Sequence, residues 1–241
     1  MKQYILKLKS ENQYNQNISS LLQGVLMENL EPEYAETLHQ TGSHPYSQYI
    51  TTDKNTVIWT VNCLSEEFEN RVKPFLFHAE KIRLKYKDDV LDVVEKSIRT
   101  VTVEEIVSKY GFKDSSRYIQ VEFISPTSFK QNGSYAIFPD CRLIFQSLLM
   151  KFNAASGNQE FFTDEVLPDF EENCSIVDYR LRTVKFHLEG VKIPSFIGRI
   201  TIRVNGNQQL VNMANMLIDF GAFSGVGIKT GIGMGAIRRA A

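Results

Sequence analysis

Only four histidines occur in the 241 residues, and two of them, His39 and His44, stand five positions apart around Gly42. An unperturbed imidazole titrates near pH 6.5, so it can take or give a proton at neutral pH. A helix end followed by a short loop would bring this pair together. A second segment with chemical potential lies near the carboxyl terminus, GAFSGVGIKTGIGMG, where Gly221, Gly225, Gly227, Gly231, Gly233 and Gly235 fall within fifteen residues. Such density permits positive φ and close approach of the backbone to a ligand, with N–H groups forming an anion-binding concavity. Lys229 and Thr230 add a charge and a hydroxyl that suit phosphate. A helix stop and a tight β return would by themselves use about two of these glycines; the rest suggest a ligand. A Walker A loop needs glycine immediately before its lysine, and Ile228 stands there. Such a loop also follows a strand and opens a helix, whereas this one follows a helical pattern, so nucleotide binding is disfavoured.

Other chemistries find little support. The acidic residues form no spaced cluster resembling a two-metal nuclease. Cys63, Cys141 and Cys174 are scattered and odd in number, which excludes a disulfide framework and a zinc cluster of the CxxC kind. No metal and no cofactor are expected. His78 and His187 read as structural residues.

The elements that must position these residues follow from periodicity. Residues 2–9 alternate as a strand, and Ile18, Leu21, Leu22, Val25 and Leu26 mark an amphipathic helix. A second helical piece runs from Pro32 to about Gln40, with Gly42 just after its end. Residues 48–62 read as a hairpin turning at Asp53-Lys54-Asn55. Ser65 can cap a helix that Pro74 must kink or end, and residues 81–86 make a closing strand. The second half repeats that order: a strand at 118–124, a helix bearing Cys141, Ile144, Phe145, Leu148, Leu149 and Phe152, and long β runs at 176–188 and 196–204. A helix bearing Leu210, Met213, Ala214, Leu217 and Ile218 follows, then the glycine loop and a short strand near 233–239. Each half is β-α-β-β-α-β, the ferredoxin-like arrangement. The expected architecture is α+β, two tandem ferredoxin-like domains at 1–114 and 115–241, with 88–116 holding an extra strand, a short helix and the linker.

Apolar residues make up 43% and charged residues 23%, the balance of a globular chain rather than a disordered one. No run is long enough for a membrane span and the amino terminus lacks a secretory signal, so a cytoplasmic location with no membrane partner is expected. The net charge of −1 hides an asymmetry, for residues 174–241 carry +6 and the remainder −7. A basic lobe suits a phosphate-backbone partner, although a solvated strand face would look the same from charge alone.

Taken together, PSFIGRITIRVNG, a helix and then GAFSGVGIKTGIGMG resemble the CRISPR-associated repeat-processing endoribonucleases of the RAMP superfamily. The likeness extends over nearly the whole chain, including an early helical segment ending in LHQ. It implies cleavage of CRISPR repeat RNA in precursor transcripts, without a metal, to give guide RNAs. The ribose 2′-hydroxyl would attack the adjacent phosphorus, leaving a 2′,3′-cyclic phosphate and a 5′-hydroxyl. The alternative within the superfamily is a non-catalytic subunit that binds guide RNA in a CRISPR effector complex. Precursor and mature guide RNA are the implied partners, with an effector complex and a homodimer as further ones.

The resemblance also assigns residues. His39 matches the histidine that the family usually carries at the end of its early helical segment. His44 falls near a position where many relatives have lysine, and Met27 stands where some carry a tyrosine, so a two-histidine arrangement is implied with Tyr46 or Lys54 assisting. RNA binding would come from Lys192, Arg199 and Arg203 on or beside the strand before the last helix. In the loop it would involve Gly225, Gly227, Lys229, Thr230, Gly231, Gly233 and Gly235.

Overall fold

Tyr4, Leu6 and Leu8 are buried in β1 (Lys2–Lys9), and the side chains between them lie on the opposite face, as the period of two requires. That strand opens a computed structural model describing residues 1–40, 44–111, 114–157 and 165–240; the expected helix stop at Gly42 lies outside the described residues. The chain continues through α1 (Ser19–Glu28), α2 (Pro32–Gln40), β2 (Tyr46–Asp53), β3 (Thr56–Cys63), α3 (Glu66–His78), β4 (Lys81–Leu84), β5 (Asp89–Thr100) and α4 (Val103–Gly111). The second half comprises β6 (Tyr118–Thr127), β7 (Phe129–Gln131), β8 (Ser134–Ala136), α5 (Cys141–Ala155), α6 (Val166–Asn173), β9 (Cys174–Leu188), β10 (Val191–Val204), α7 (Gln208–Ser224) and β11 (Ile237–Arg239).

Two antiparallel sheets result, in the orders β2-β3-β1-β5-β4 and β11-β6-β10-β9. In each half the first strand sits between the third and the last of a β-α-β-β-α-β unit, which is the ferredoxin-like topology. Helices cover one face of each sheet. Leu22, Leu26, Trp59 and Phe68 centre the first core, and Phe123, Phe145, Phe152, Leu217 and Phe220 the second. Ser65 caps α3 by accepting from the Phe68 N–H at 3.2 Å, and Asn207 caps α7 by accepting from the Leu210 N–H at 2.9 Å.

Two expectations are corrected and one is narrowed. The strand that closes the first sheet on β1 is β5, paired along it from Lys9↔Asp92 to Lys2↔Thr100, whereas Lys81–Leu84 forms only a short edge strand on β5. A four-residue segment cannot satisfy the ladder of an eight-residue strand; the twelve residues of β5 can. Helix α3 runs four residues past Pro74 to His78, so the proline does not end it. Helix α4, expected in the first half, contributes Ile106 and Tyr110 to the second core. Asp219 of α7 is bonded there by Lys109, Tyr110 and Arg239, which ties α4, α7 and β11 together.

The two halves meet along β2 and the glycine-rich segment. Ser47 of β2 donates to the Phe223 carbonyl at the end of α7, Asn62 donates to Ser47 at 2.9 Å, and Gln3 donates to Asn62 at 2.8 Å. These buried polar groups lie on the face of the first sheet away from its helices, and each finds a partner because α7 covers it. Gly233 fits against the start of α1: a Cβ there would lie 2.2 Å from Ser19 Oγ, at a φ of +112°. Gly233→Ala should therefore lower the unfolding free energy by about 2–4 kcal/mol, read as a lower urea midpoint. An unchanged midpoint would show that the seam yields at this point.

Candidate active site

Between the halves lies a cavity of about 580 Å³. His44, just before β2, forms part of one wall; α5 supplies Gln146, Met150 and Lys151, and the glycine loop supplies Lys229. Lys130, beyond β6, also reaches it. The cavity thus gathers three lysines and a histidine on a partly apolar floor.

His44 is half-buried, and its ring is tilted against Tyr46 with centroids 5.6 Å apart. A Cβ on Gly231 would come 3.2 Å from both rings, so any side chain there would press on this pair. Burial holds the His44 pKa below the usual 6.5, and the positive charges of His39, Lys151 and Lys229 push it the same way. Its Nδ1 is buried without a hydrogen-bond partner among the described residues. His39 is exposed in the last turn of α2. The fold therefore brings the two histidines within electrostatic reach: one is kept neutral at neutral pH and can accept a proton, and the other is open to solvent.

The assisting residues are placed differently from expectation. Tyr46 is 1% exposed and stacks on Phe68 at 4.5 Å, so neither ring face is available to a base. Burial pushes its hydroxyl up to about 12, against a hydrogen bond with Gln23 that pulls it down; it is the platform beneath His44. Lys54 sits in the turn at the other end of β2, roughly 20–25 Å of strand from His44. That separation corrects its expected assisting role.

The glycines lie against the protein itself. They serve the protein's own packing, for a Cβ on Gly221, Gly225, Gly227 or Gly235 would lie 2.9 Å or less from protein atoms. Several loop N–H groups are already spent: Gly225 donates to Gly221, Val226 to Gly235, Gly227 to Ser147 Oγ and Gly235 to Pro126. The loop exposes Lys229 at its tip, while Thr230 is buried and its hydroxyl accepts from Lys151 at 3.2 Å.

Arg199 and Arg203 alternate on β10 with Ile200, Ile202 and Val204, which face the helices, so the arginines occupy the opposite, open face of the second sheet. Arg180 and Arg182 share that face across β9. Glu122 offsets part of this charge by pairing with Arg199 at 3.3 Å and Arg238 at 2.8 Å. Lys192 is exposed near the tip of the β9–β10 hairpin. Of the basic residues singled out in the sequence, only Lys229 lines the cavity.

Lys151 escaped the sequence reading. A lone ammonium inside the run LIFQSLLMKFNAA, beside the buried Leu148 and Phe152, was the available signal. The residue keeps some exposed surface, yet its ammonium is enclosed and burial pulls its pKa down to about 7. Among the described residues no group of three His, Cys, Asp or Glu is placed to hold a metal ion, and no helix is long and apolar enough to cross a membrane.

Comparison with known proteins shows the family. The family model described as CRISPR-associated endoribonuclease Cas6 matches residues 121–237. A CRISPR-associated endoribonuclease Cas6 of Streptococcus thermophilus is 32% identical over 240 residues, covering 99% of this chain and 98% of the relative. The chain belongs to the Cas6 family. A Cas6 of Mycobacterium tuberculosis (strain CDC 1551 / Oshkosh) is also 32% identical, over 220 residues that cover 90% of this chain and 70% of the relative. Among solved structures, a Cas6 product complex superposes with a TM-score of 0.83 at 22% identity, covering 99% of both chains, and shows the same fold. The paired ferredoxin-like halves expected from the sequence are thus those of Cas6 and its structural neighbours.

The depressed pKa of His44 has a consequence for stability. As pH falls below about 6.5 the unfolded chain takes up this proton before the folded one does. The histidine's contribution is intact above that pH and is lost as pH drops through the lower folded value. His44→Gln should therefore lose less stability than the parent between pH 7 and pH 5, measured by urea midpoints at each pH. An equal loss would show that His44 titrates as a free imidazole.

Proposed function

We propose that this chain cleaves CRISPR repeat RNA in precursor transcripts by 2′-hydroxyl attack. The observation that supports it best is the half-buried His44, held neutral at the seam between the halves, with His39 and Lys229 around it. The relatives that match nearly the whole chain are named endoribonucleases, and similar solved structures are Cas6 product and substrate mimic complexes.

In this reading His44 takes the proton from the ribose 2′-hydroxyl as the 2′-oxygen bonds to phosphorus. The bond from phosphorus to the 5′-oxygen breaks, and protonated His39 gives that oxygen its proton. The products are a 2′,3′-cyclic phosphate and a 5′-hydroxyl. Lys229 stabilises the charge that develops on the phosphoryl oxygens. Both proton transfers and the charge compensation use side chains, so the reaction is expected to run in chelator. The open face of the second sheet, with Arg180, Arg182, Arg199 and Arg203, carries the RNA backbone away from the cleft.

Single-turnover cleavage of a repeat RNA in chelator tests this. His44→Ala and His39→Ala should each slow the step by about 10²–10⁴-fold with little change in affinity. The acid limb of the parent's rate profile should lie below pH 6.5, because His44 must be neutral to act, and the rate should fall again at higher pH once His39 has lost the proton it gives. A parent that binds the repeat without cutting it would instead be a guide-RNA-binding subunit. Wild-type rates in either histidine variant would sink that residue's role.

Binding should divide along the same geometry. Arg203→Ala should lower the salt slope of RNA affinity by about one phosphate contact, and Arg199→Ala by less, because Glu122 already offsets that charge. Equal slopes for both variants and the parent would place the RNA elsewhere.

A further inference from the structure

Lys151 is the least expected charge in the molecule. It projects from α5, a helix whose Leu148, Leu149 and Phe152 are buried in the second core. Its Nζ donates to the Ser224, Gly225 and Gly227 carbonyls at 3.4, 3.2 and 3.3 Å and to Thr230 Oγ1 at 3.2 Å. All four acceptors belong to the end of α7 and the glycine loop. An ammonium has three protons, so these four oxygens share them and replace the water that an enclosed charge would otherwise lack. The neighbouring Ser147, one helix turn earlier, accepts from the Gly227 N–H at 2.8 Å. One side of α5 thus holds the loop from behind.

The front of the same loop meets the candidate site. Gly231 follows Thr230 directly and packs on the His44 and Tyr46 rings, and Lys229 precedes it at a φ of 56° with its side chain lining the cavity. A displacement of the loop would move Gly231 off His44 and Lys229 out of register with it. We propose that Lys151 is a positioning residue for cleavage: its ammonium gathers the loop's carbonyls and thereby seats Gly231 and Lys229 against His44. The inference rests on the reading of His44 as a proton acceptor, but the seating itself is a property of the free protein.

The charged groups that bear on His44 come from three elements: His39 at the end of α2, Lys151 on α5 and Lys229 in the loop. Removing the Lys151 ammonium takes away one of these charges directly and loosens a second, so His44 should titrate at a higher pH. A purely structural lysine, remote from the histidine, would leave that titration alone.

The experiment uses the full chain with Lys151→Met, which keeps the unbranched stem, and Thr230→Val, which removes one of the four acceptors at nearly constant volume. Three readouts are taken: His44 titration by NMR, tryptic cleavage after Lys229, and single-turnover cleavage of a repeat RNA at saturating protein. Lys151→Met is expected to melt cooperatively, to raise the His44 midpoint toward 6.5, and to open the bond after Lys229 to trypsin. Its cleavage rate should fall by about 10- to 100-fold with affinity changed less than about threefold, the pattern of misplacement rather than lost binding. Thr230→Val should move each readout the same way by less.

A folded Lys151→Met with a parental His44 midpoint, a protected loop and a parental rate would overturn the proposal. If Lys151→Met does not fold, Thr230→Val decides: parental titration and protection there overturn it, and shifts in both support it. If the parent itself does not cut RNA, the proposed function fails, while titration and proteolysis still decide whether Lys151 seats the loop against His44.

Discussion

The seam between the two halves depends on one steric condition, a backbone that approaches another element with no side chain in between. Gly231 lies on His44 and Tyr46, and Gly233 lies on Ser19. Interiors are packed like crystals, so a single methyl at either place must displace a neighbour. This approach covers one side of His44 and brings Lys229 to it, while His39 and Lys151 reach it from α2 and α5. The platform below is equally fixed, because Tyr46 is stacked on Phe68 at 4.5 Å in the first core. His44 is therefore held between a ring anchored in one half and a loop anchored in the other.

Charge is distributed to match. The cavity holds Lys130, Lys151 and Lys229 but no carboxylate among the described residues that line it. Two carboxylates sit where basic residues hold the fold together. Asp219 binds Lys109 and Arg239 and joins α4, α7 and β11. Glu122 binds Arg199 and Arg238 across neighbouring strands. Hydrogen bonds from these basic groups keep both carboxyls below the usual carboxylate range despite burial that acts the other way. The +6 of the last 68 residues thus divides into charges already offset within the fold and charges, such as Lys229 and Arg203, left for a polyanion.

Local signals in the chain were strong where periodicity and capping decide structure. The stripe from Ile18 to Leu26, the cap at Ser65 and the doubled β-α-β-β-α-β order were all legible, because each depends on residues within a few positions of one another. The closing strand of the first sheet was harder. Residues 81–86 and 89–100 both alternate, and pairing with β1 is a contest of ladder length that no window of sequence contains. Ile106 and Tyr110 likewise show an apolar helix face without showing which core receives it.

The same boundary separates what sequence and tertiary structure contributed to the site. By itself the sequence determined the residue types: two histidines around Gly42, a lysine in a run of glycines, and a likeness to repeat-processing endoribonucleases carried by the last third of the chain. Only the tertiary structure decided that the glycines are spent on packing, that Tyr46 is a buried platform, that Lys54 is a strand's length away, and that Lys151 reaches the loop from α5. Glycine density reads the same whether the close neighbour is a ligand or another part of the protein, since both need the absence of a Cβ. Gly225 and Gly235 meet the loop's own Thr230 and Val226, whereas Gly231 and Gly233 meet His44 and Ser19 from more than a hundred positions away, through contacts that folding makes and no local pattern encodes.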